Sequence, residues 1–163
     1  MVILVLGYRI DSNVTQRYNG VIVIPDFDKN GNLPPGIHEA TIQEVEAHFA
    51  HNMHRKRLFE GLLKVLKILE GCGCPEVYLN GSFITLKSEP KDYDLCYEPT
   101  GIKGTEAFKQ FLETRDERKE KYFGDIFPRL PQPPYEMDHV EDWQTDRDGE
   151  IKGIVRIILR QGK

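Results

Sequence analysis

No stretch of the chain is apolar for long enough to cross a membrane as a helix. The run Met1-Val2-Ile3-Leu4-Val5-Leu6 is short, lacks a basic flank and gives way at Gly7 to polar and charged residues. A spanning helix needs about 20 apolar residues, and a signal peptide needs a basic start before its apolar centre. The run therefore reads as a first β-strand. Cysteine is scarce and odd in number, with three residues. Cys72-Gly73-Cys74 is C-x-C, without the C-x-x-C spacing or the second pair of a zinc or thioredoxin-like site. These read as structural or incidental thiols in a reducing, cytoplasmic setting. Positive charge is not in excess either: 22 Lys and Arg against 26 Asp and Glu leave a net charge of −4. General attraction to DNA or RNA is excluded, and any such contact needs a local basic face. Internal repeats, low-complexity tracts and interdomain linkers are lacking too.

What is present suits one folded domain over residues 1–163, with 39% hydrophobic and 29% charged residues. Residues 2–10 and 21–25 read as β segments around the turn signal Tyr18-Asn19-Gly20. Asp26-Phe27-Asp28-Lys29-Asn30-Gly31 imitates the opening of an EF-hand loop. Its closing position holds Ile37 rather than Glu, and Pro34-Pro35 interrupts it, so it reads as a polar turn. Thr41-Ile42-Gln43-Glu44 is a capping box, followed by a short apolar helix face of Ile42, Val45 and Phe49. His48, His51 and His54 lie three apart; two could share a metal, but the third falls off that face, and a solvated cluster is the simpler reading. Leu58, Leu62, Val65, Leu66 and Leu69 recur at helical spacing up to a capping Gly71. Arg55, Lys56, Arg57, Lys64 and Lys67 read as its solvated flanks, with phosphate contact as the alternative.

The most informative stretch runs from Glu76 to Glu98. A strand pattern, Val77-Tyr78-Leu79, stops at Gly81-Ser82, crosses a polar connection and resumes at Asp92-Tyr93-Asp94-Leu95. Side chains alternate faces along a strand, so Asp92 and Asp94 project together, roughly 6–7 Å apart. Paired carboxylates repel unless water or a cation lies between them, and Mg²⁺ is a hard cation commonly shared with phosphate groups. Gly81 permits close backbone approach to a ligand, and Ser82 adds a hydroxyl. The pattern fits a site for a metal-bound nucleoside triphosphate.

Beyond it, a helix is expected from about Thr105 to Arg118, burying Phe108, Phe111 and Leu112, with Arg115–Lys121 as a solvent face. Tyr122–Phe127 reads as a strand carrying Asp125 among aromatics, where a carboxylate needs a partner. Pro128–Pro134 is irregular. Residues 138–145 and 152–160 read as a hairpin about Asp148-Gly149. Lys152 and Arg156 would then protect an edge strand or, alternatively, approach a phosphate.

Gly81-Ser82 followed by Asp92-x-Asp94 resembles the signature of the nucleotidyltransferase superfamily, which includes DNA polymerase beta. Three longer strings are similar to DUF6932, a small family of uncharacterised nucleotidyltransferase-like bacterial and phage proteins. They are Leu33-Pro34-Pro35-Gly36-Ile37-His38, Gly81-Ser82-Phe83-Ile84-Thr85-x-Lys87-x-x-Pro90-x-Asp92-x-Asp94, and Asp146-Arg147-Asp148-Gly149-x-x-Lys152-Gly153-Ile154. The resemblance runs roughly from Ile22 to Leu159. It implies an α+β (α/β-like) minimal nucleotidyltransferase fold: a mixed β-sheet with helices mainly on one side. It also implies Mg²⁺-dependent transfer (Mn²⁺ as the substitute) of a nucleoside monophosphate from an NTP such as ATP to a hydroxyl. Asp92, Asp94 and Asp125 become metal-binding catalytic residues. Gly81, Ser82, Thr85 and Lys87 become nucleotide-binding. The acceptor stays open between a tRNA end, a protein hydroxyl and a small molecule. As a toxin–antitoxin or phage-defence component, the chain would have an antitoxin protein as partner. The alternative is an inactive nucleotide-sensing or partner-binding module on the same fold.

Overall fold

Val77 and Leu79 alternate with Glu76, Tyr78 and Asn80, and this period of two gives the central sheet two unlike faces. The computed structural model describes residues 17–18, 21–22, 24–109, 111, 114–129 and 138–159. A two-stranded pair, β1 (Arg17–Tyr18) and β2 (Val21–Ile22), precedes the main body. Then come β3 (Gly36–Ala40), α1 (Ile42–Phe49), α2 (Met53–Gly71) and β4 (Glu76–Asn80). A 3₁₀ turn at Ser82–Ile84 leads to β5 (Tyr93–Tyr97), α3 (Glu106–Lys109), α4 (Arg115–Tyr122) and β6 (Gly124–Pro128). The short α5 (His139–Asp142) and β7 (Gly153–Ile158) complete the order. The five-stranded sheet runs β3-β7-β4-β5-β6. β3 and β7 are parallel, as are β5 and β6, while β4 is antiparallel to both its neighbours. This is an α+β protein with a mixed sheet.

Val77, Leu79, Val155, Ile157 and Leu95 turn one face of the sheet to Leu62, Val65, Leu66 and Leu69 of α2, in a single buried cluster. Both leading helices start as their sequences require. Thr41 and Glu44 form the reciprocal capping box, and the Asn52 side chain accepts from the Arg55 N–H. α2 ends at Gly71, one step before its cap at Cys72, and Gly73 takes the positive φ of 95°. All three cysteines are free and buried. Burial pushes the Cys74 and Cys96 thiols up to about 12, so neither is a nucleophile near neutral pH.

The other face carries Tyr78, Cys96 and Ile154, partly covered by Val140 of α5 and by Trp143. Asn80, Asp94 and Asp125 lie on this same face by strand alternation. The polar turn at Asp28 is as expected: its carboxylate accepts from the Asn30 and Asn32 N–H groups at 2.8 and 3.0 Å.

Five expectations are corrected. Of the strand expected over 21–25, Val21–Ile22 form β2, whereas Ile24 is buried outside any strand. The helix expected from Thr105 to Arg118 is divided into α3 and α4, with Thr114 capping the second through a capping box with Glu117. Tyr122 ends α4, and left-handed Phe123 (φ 62°) turns the chain into β6. The hairpin about Asp148-Gly149 is reduced to a single bridge, Thr145 with Ile151, because residues 139–142 form α5 instead of a strand. β7 is therefore no edge strand; it lies between β3 and β4. Arg156 guards no edge, and its guanidinium pairs with Glu76 on the neighbouring strand. The strand expected at 2–10, the turn residues Asn19 and Gly20, Leu112 and the proline-rich 130–134 lie outside the described residues.

The missed strand is β3, from the string Gly36-Ile37-His38. Its pairing with β7 brings two distant strings together: the Gly153 N–H donates to Leu33 O at 2.9 Å. A Cβ on Gly153 would meet Pro34 O at 2.1 Å, so only glycine admits this approach.

Candidate functional site

The site begins where β4 ends. Gly81 has φ 86° and ψ −174°, a conformation that L side chains scarcely adopt. It turns the chain into the 3₁₀ segment, whose Phe83 and Ile84 are buried anchors. The Thr85 hydroxyl donates to Ser82 O at 2.8 Å and accepts from the Lys87 N–H at 3.2 Å, so it braces the turn from within.

Beneath this turn lies Arg55, with 0% exposure. Its guanidinium donates to Phe49 O (3.0 Å), Phe83 O (2.6 Å) and Thr85 O (2.7 Å), and also to Lys87 O. The partners are all backbone carbonyls. Arg55 is thus no solvated flank residue; it fixes residues 83–87 and places a fixed positive charge under them. The remaining histidines are likewise not one cluster: His48 packs against Phe27 and Phe49, and His54 bonds Pro90 O, while His51 is exposed.

β5 brings the carboxylates. Asp94 lies opposite Asn80 of β4 and opposite Asp125 of β6. Asp94 Oδ2 stands 2.5 Å from where a Cβ on Gly81 would be, so the glycine makes room for the carboxylate. Asp125 is 5% exposed, and both its oxygens are held: Arg115 Nε and Nη2 donate at 2.8 and 3.0 Å, and Lys119 Nζ at 3.0 Å. Lys119 Nζ also pairs with Asp92 Oδ2 at 2.7 Å. Arg115 is exposed and Lys119 half-buried on the expected solvent face of α4, and from there they neutralise two of the three carboxylates. The Arg115 hydrogen bonds hold the Asp125 carboxyl below its usual range. Asp94 is the exception. Among the described residues no donor bonds its carboxylate, and burial, then Asp92 and Asp125, push its pKa up to about 6.

The opposite wall is the segment between α5 and β7. Asp146 Oδ1 accepts from the Asp148 and Glu150 N–H groups at 2.9 Å each, and the Lys152 N–H donates to Gln144 O at 2.8 Å. A cleft of about 530 Å³ lies between the two walls. Gly81, Ser82, Thr85, Lys87, Asp92 and Asp94 line one side; Asp125 is not part of the lining. Asn80, Trp143, Thr145, Asp146, Arg147 and Lys152 complete it. Asn80, Trp143 and Thr145 carried no signal that sequence reasoning used. Asp146, Arg147 and Lys152 stood in the third family-like string but were read as part of the expected hairpin, with phosphate contact as the alternative for Lys152 alone.

The chain belongs to DUF6932. The family model, described as a family of unknown function, matches residues 25–158 and so spans every cleft residue. No curated protein and no solved structure shows significant similarity to the chain. Among the described residues of this DUF6932 member, no helix is long and apolar enough to cross a membrane.

The residues can be tested against a divalent cation. Among the described residues, no group of three or more His, Cys, Asp or Glu is arranged to hold a metal alone. Mg²⁺ does not ask for one: it commonly takes one or two carboxylates and completes its shell with water and substrate phosphates. Asp94 has no donor of its own, and the buried Asn80 Oδ1 beside it has no hydrogen-bond partner. A buried oxygen without a partner is costly. Asp94, Asp92 and Asn80 offer the oxygen atoms that a hard cation takes, and in that sense the DUF6932 site fits one.

Proposed function

We propose that the chain is a Mg²⁺-dependent nucleotidyltransferase that moves a nucleoside monophosphate from an NTP to a hydroxyl. One observation carries this reading: the Gly81-Ser82 turn, Asp92 and Asp94 line one cleft with Lys87 and Lys152. Small-residue turn, paired carboxylates and cationic side chains are the parts that a metal-bound triphosphate requires. The superfamily resemblance of the GS…DxD string supports the same reading.

In the reaction, the acceptor oxygen bonds to the α-phosphorus as the α–β bridging P–O bond breaks. The electron pair leaves with pyrophosphate, and the hydroxyl proton passes to water. Asp92 and Asp94 would hold Mg²⁺, which would supply charge neutralisation to the triphosphate and a lowered pKa to the attacking hydroxyl. The turn at Gly81-Ser82 lets the phosphates approach the backbone closely. Arg55 keeps that turn in one conformation, which is the positioning that phosphoryl transfer chiefly depends on. Asp125, tied to Arg115 and Lys119, holds Lys119 where its ammonium also reaches Asp92.

A second reading has its own observation. Lys119 already neutralises Asp92 and Asp125, an arrangement that suits a nucleotide-sensing module without turnover. Mg²⁺-dependent label transfer from the four α-labelled NTPs decides between them, with total RNA and cell extract as acceptors and Asp94→Ala as control. Label on one acceptor with wild type only establishes transfer and names the acceptor class. NTP binding without label under every mixture favours the sensing module, and absence of NTP binding overturns both.

A further inference from the structure

Lys152 is one of the cations of the cleft, and the proposed chemistry leaves open which part of the nucleotide it meets. It sits half-buried, one residue before β7, opposite the carboxylates. Its backbone is pinned on both sides, through its own N–H to Gln144 O at 2.8 Å and through the Gly153 N–H to Leu33 O at 2.9 Å. Among the described residues its ammonium has no hydrogen bond and no carboxylate within ion-pairing distance; Asp146 and Asp94 act on it only through space. Burial draws its pKa below the ordinary lysine value. Removing an ammonium from water without a direct partner is costly, and the partner that would repay it here is an anion entering the cleft.

Trp143 is the second observation. It is the single tryptophan of the chain and lines the same cleft, half-buried. Phe127 and His139 pack against it edge-on, at 6.1 Å and 73° and at 5.6 Å and 76°. Those two rings stack on each other at 5.2 Å, so the indole is held by a rigid aromatic group. Asp138 caps α5 and is itself clamped by Arg129 at 2.8 and 3.1 Å, which fixes the start of this wall. A rigid indole loses little entropy on stacking with a flat ligand.

We infer that the segment from Trp143 to Lys152 is the recognition wall for a nucleoside triphosphate, with Lys152 taking a phosphate oxygen and Trp143 stacking on the base. The inference rests on the reading of the cleft as an NTP site and adds which residues grip the nucleotide. The division of labour follows from the chemistry. The carboxylate wall meets the phosphates through a cation, whereas Lys152 meets them directly as a point charge from the other side. Stacking accepts any base, so this wall selects nucleotides over bare polyphosphate without selecting one base. Arg147 lies exposed in the same lining and adds positive charge at the rim.

The indole itself reports the occupant. Wild-type emission is followed on addition of Mg-ATP, Mg-tripolyphosphate or adenosine, and calorimetry gives Kd for wild type, Lys152→Met and Trp143→Leu. Methionine keeps the buried stem of the lysine, and leucine keeps an apolar side chain against Phe127. ATP is expected to change the emission. Lys152→Met should weaken ATP and tripolyphosphate alike, by about tenfold or more. Trp143→Leu should weaken ATP by about tenfold and leave tripolyphosphate unaffected. ATP binding with unchanged emission and unchanged Kd in both variants overturns the wall assignment and leaves the nucleotide reading standing. Failure of wild type to bind ATP overturns both. Should either variant unfold, the wild-type emission decides: a response to ATP that tripolyphosphate does not reproduce supports the wall, and equal responses overturn it.

Discussion

Lys119 Nζ stands 2.7 Å from Asp92 Oδ2 and, with its other contact, 3.0 Å from Asp125 Oδ2. One ammonium therefore spans two carboxylates that a site for a divalent cation would otherwise leave open. Hydrogen bonds to Asp92 and then Asp125 raise the lysine pKa above its ordinary value, so it is charged at neutral pH. With Lys119 replaced by Met, Mn²⁺ should bind the nucleotide-free protein about tenfold more tightly, since a competing charge near the site has gone. Titration followed by electron paramagnetic resonance checks this. Unchanged affinity would show that the ammonium and the metal do not compete.

Asp94 gives a pH prediction. Its pKa in the folded chain is about 6, against 3.8 ordinarily. A carboxyl whose folded pKa is raised stabilises the fold below the unfolded value, and that contribution is lost as pH rises through about 6. In metal-free protein at neutral pH, the ionised Asp94 therefore costs stability. Asp94→Asn should gain about 2 kcal/mol at pH 7.5, discounted for partial exposure, and the gain should vanish near pH 4. Urea melts at the two pH values measure it, and equal stability at pH 7.5 would refute the idea that the site is held against the burial of an ionised Asp94 and, secondarily, its repulsion by Asp92 and Asp125.

Gly81→Ala should lose about 1–3 kcal/mol because φ 86° with ψ −174° is nearly closed to alanine. The new methyl would also meet Asp94 Oδ2 at 2.5 Å. In an Asp94→Ala background the steric part is relieved and the backbone part persists. A double-mutant cycle should thus show coupling between the two sites, whereas additive losses would mean that the turn and the carboxylate are independent.

Arg55→Met removes the donor from four backbone carbonyls, those of Phe49, Phe83, Thr85 and Lys87. A loss of about 3 kcal/mol or more is expected, since buried acceptors are left bare. Faster amide exchange over residues 84–87 should accompany it. Arg55→Lys should recover little, because a single ammonium cannot serve carbonyls arranged around a planar fork. Full recovery by lysine would mean that charge alone, without the fork, fixes the turn.

Local chemistry made parts of this protein legible before its fold was known. Thr41 and Glu44 announce a helix start through their own side chains, and the leucine spacing of α2 is visible because a helix buries one stripe. Strand alternation places Asp92 and Asp94 on one face, a property of two residues and the bond geometry between them. What escaped the sequence depends on partners far along the chain. Arg55 looks like any other member of Arg55-Lys56-Arg57 until residues 83–87 fold over it. Arg115 and Lys119 read as solvent-face charges and stay partly exposed, but only the pairing of β6 shows that both reach Asp125. Lys152 and Trp143 belong to a cleft only because β7 inserts between β3 and β4 and carries the preceding segment opposite the Gly81 turn. Sequence determined which residues could form helices, turns and paired carboxylates, since those follow from neighbours within a few positions. Tertiary structure decided which charges are buried, which are neutralised and which face the cleft, since burial and pairing are set by contacts between segments that the chain order keeps apart.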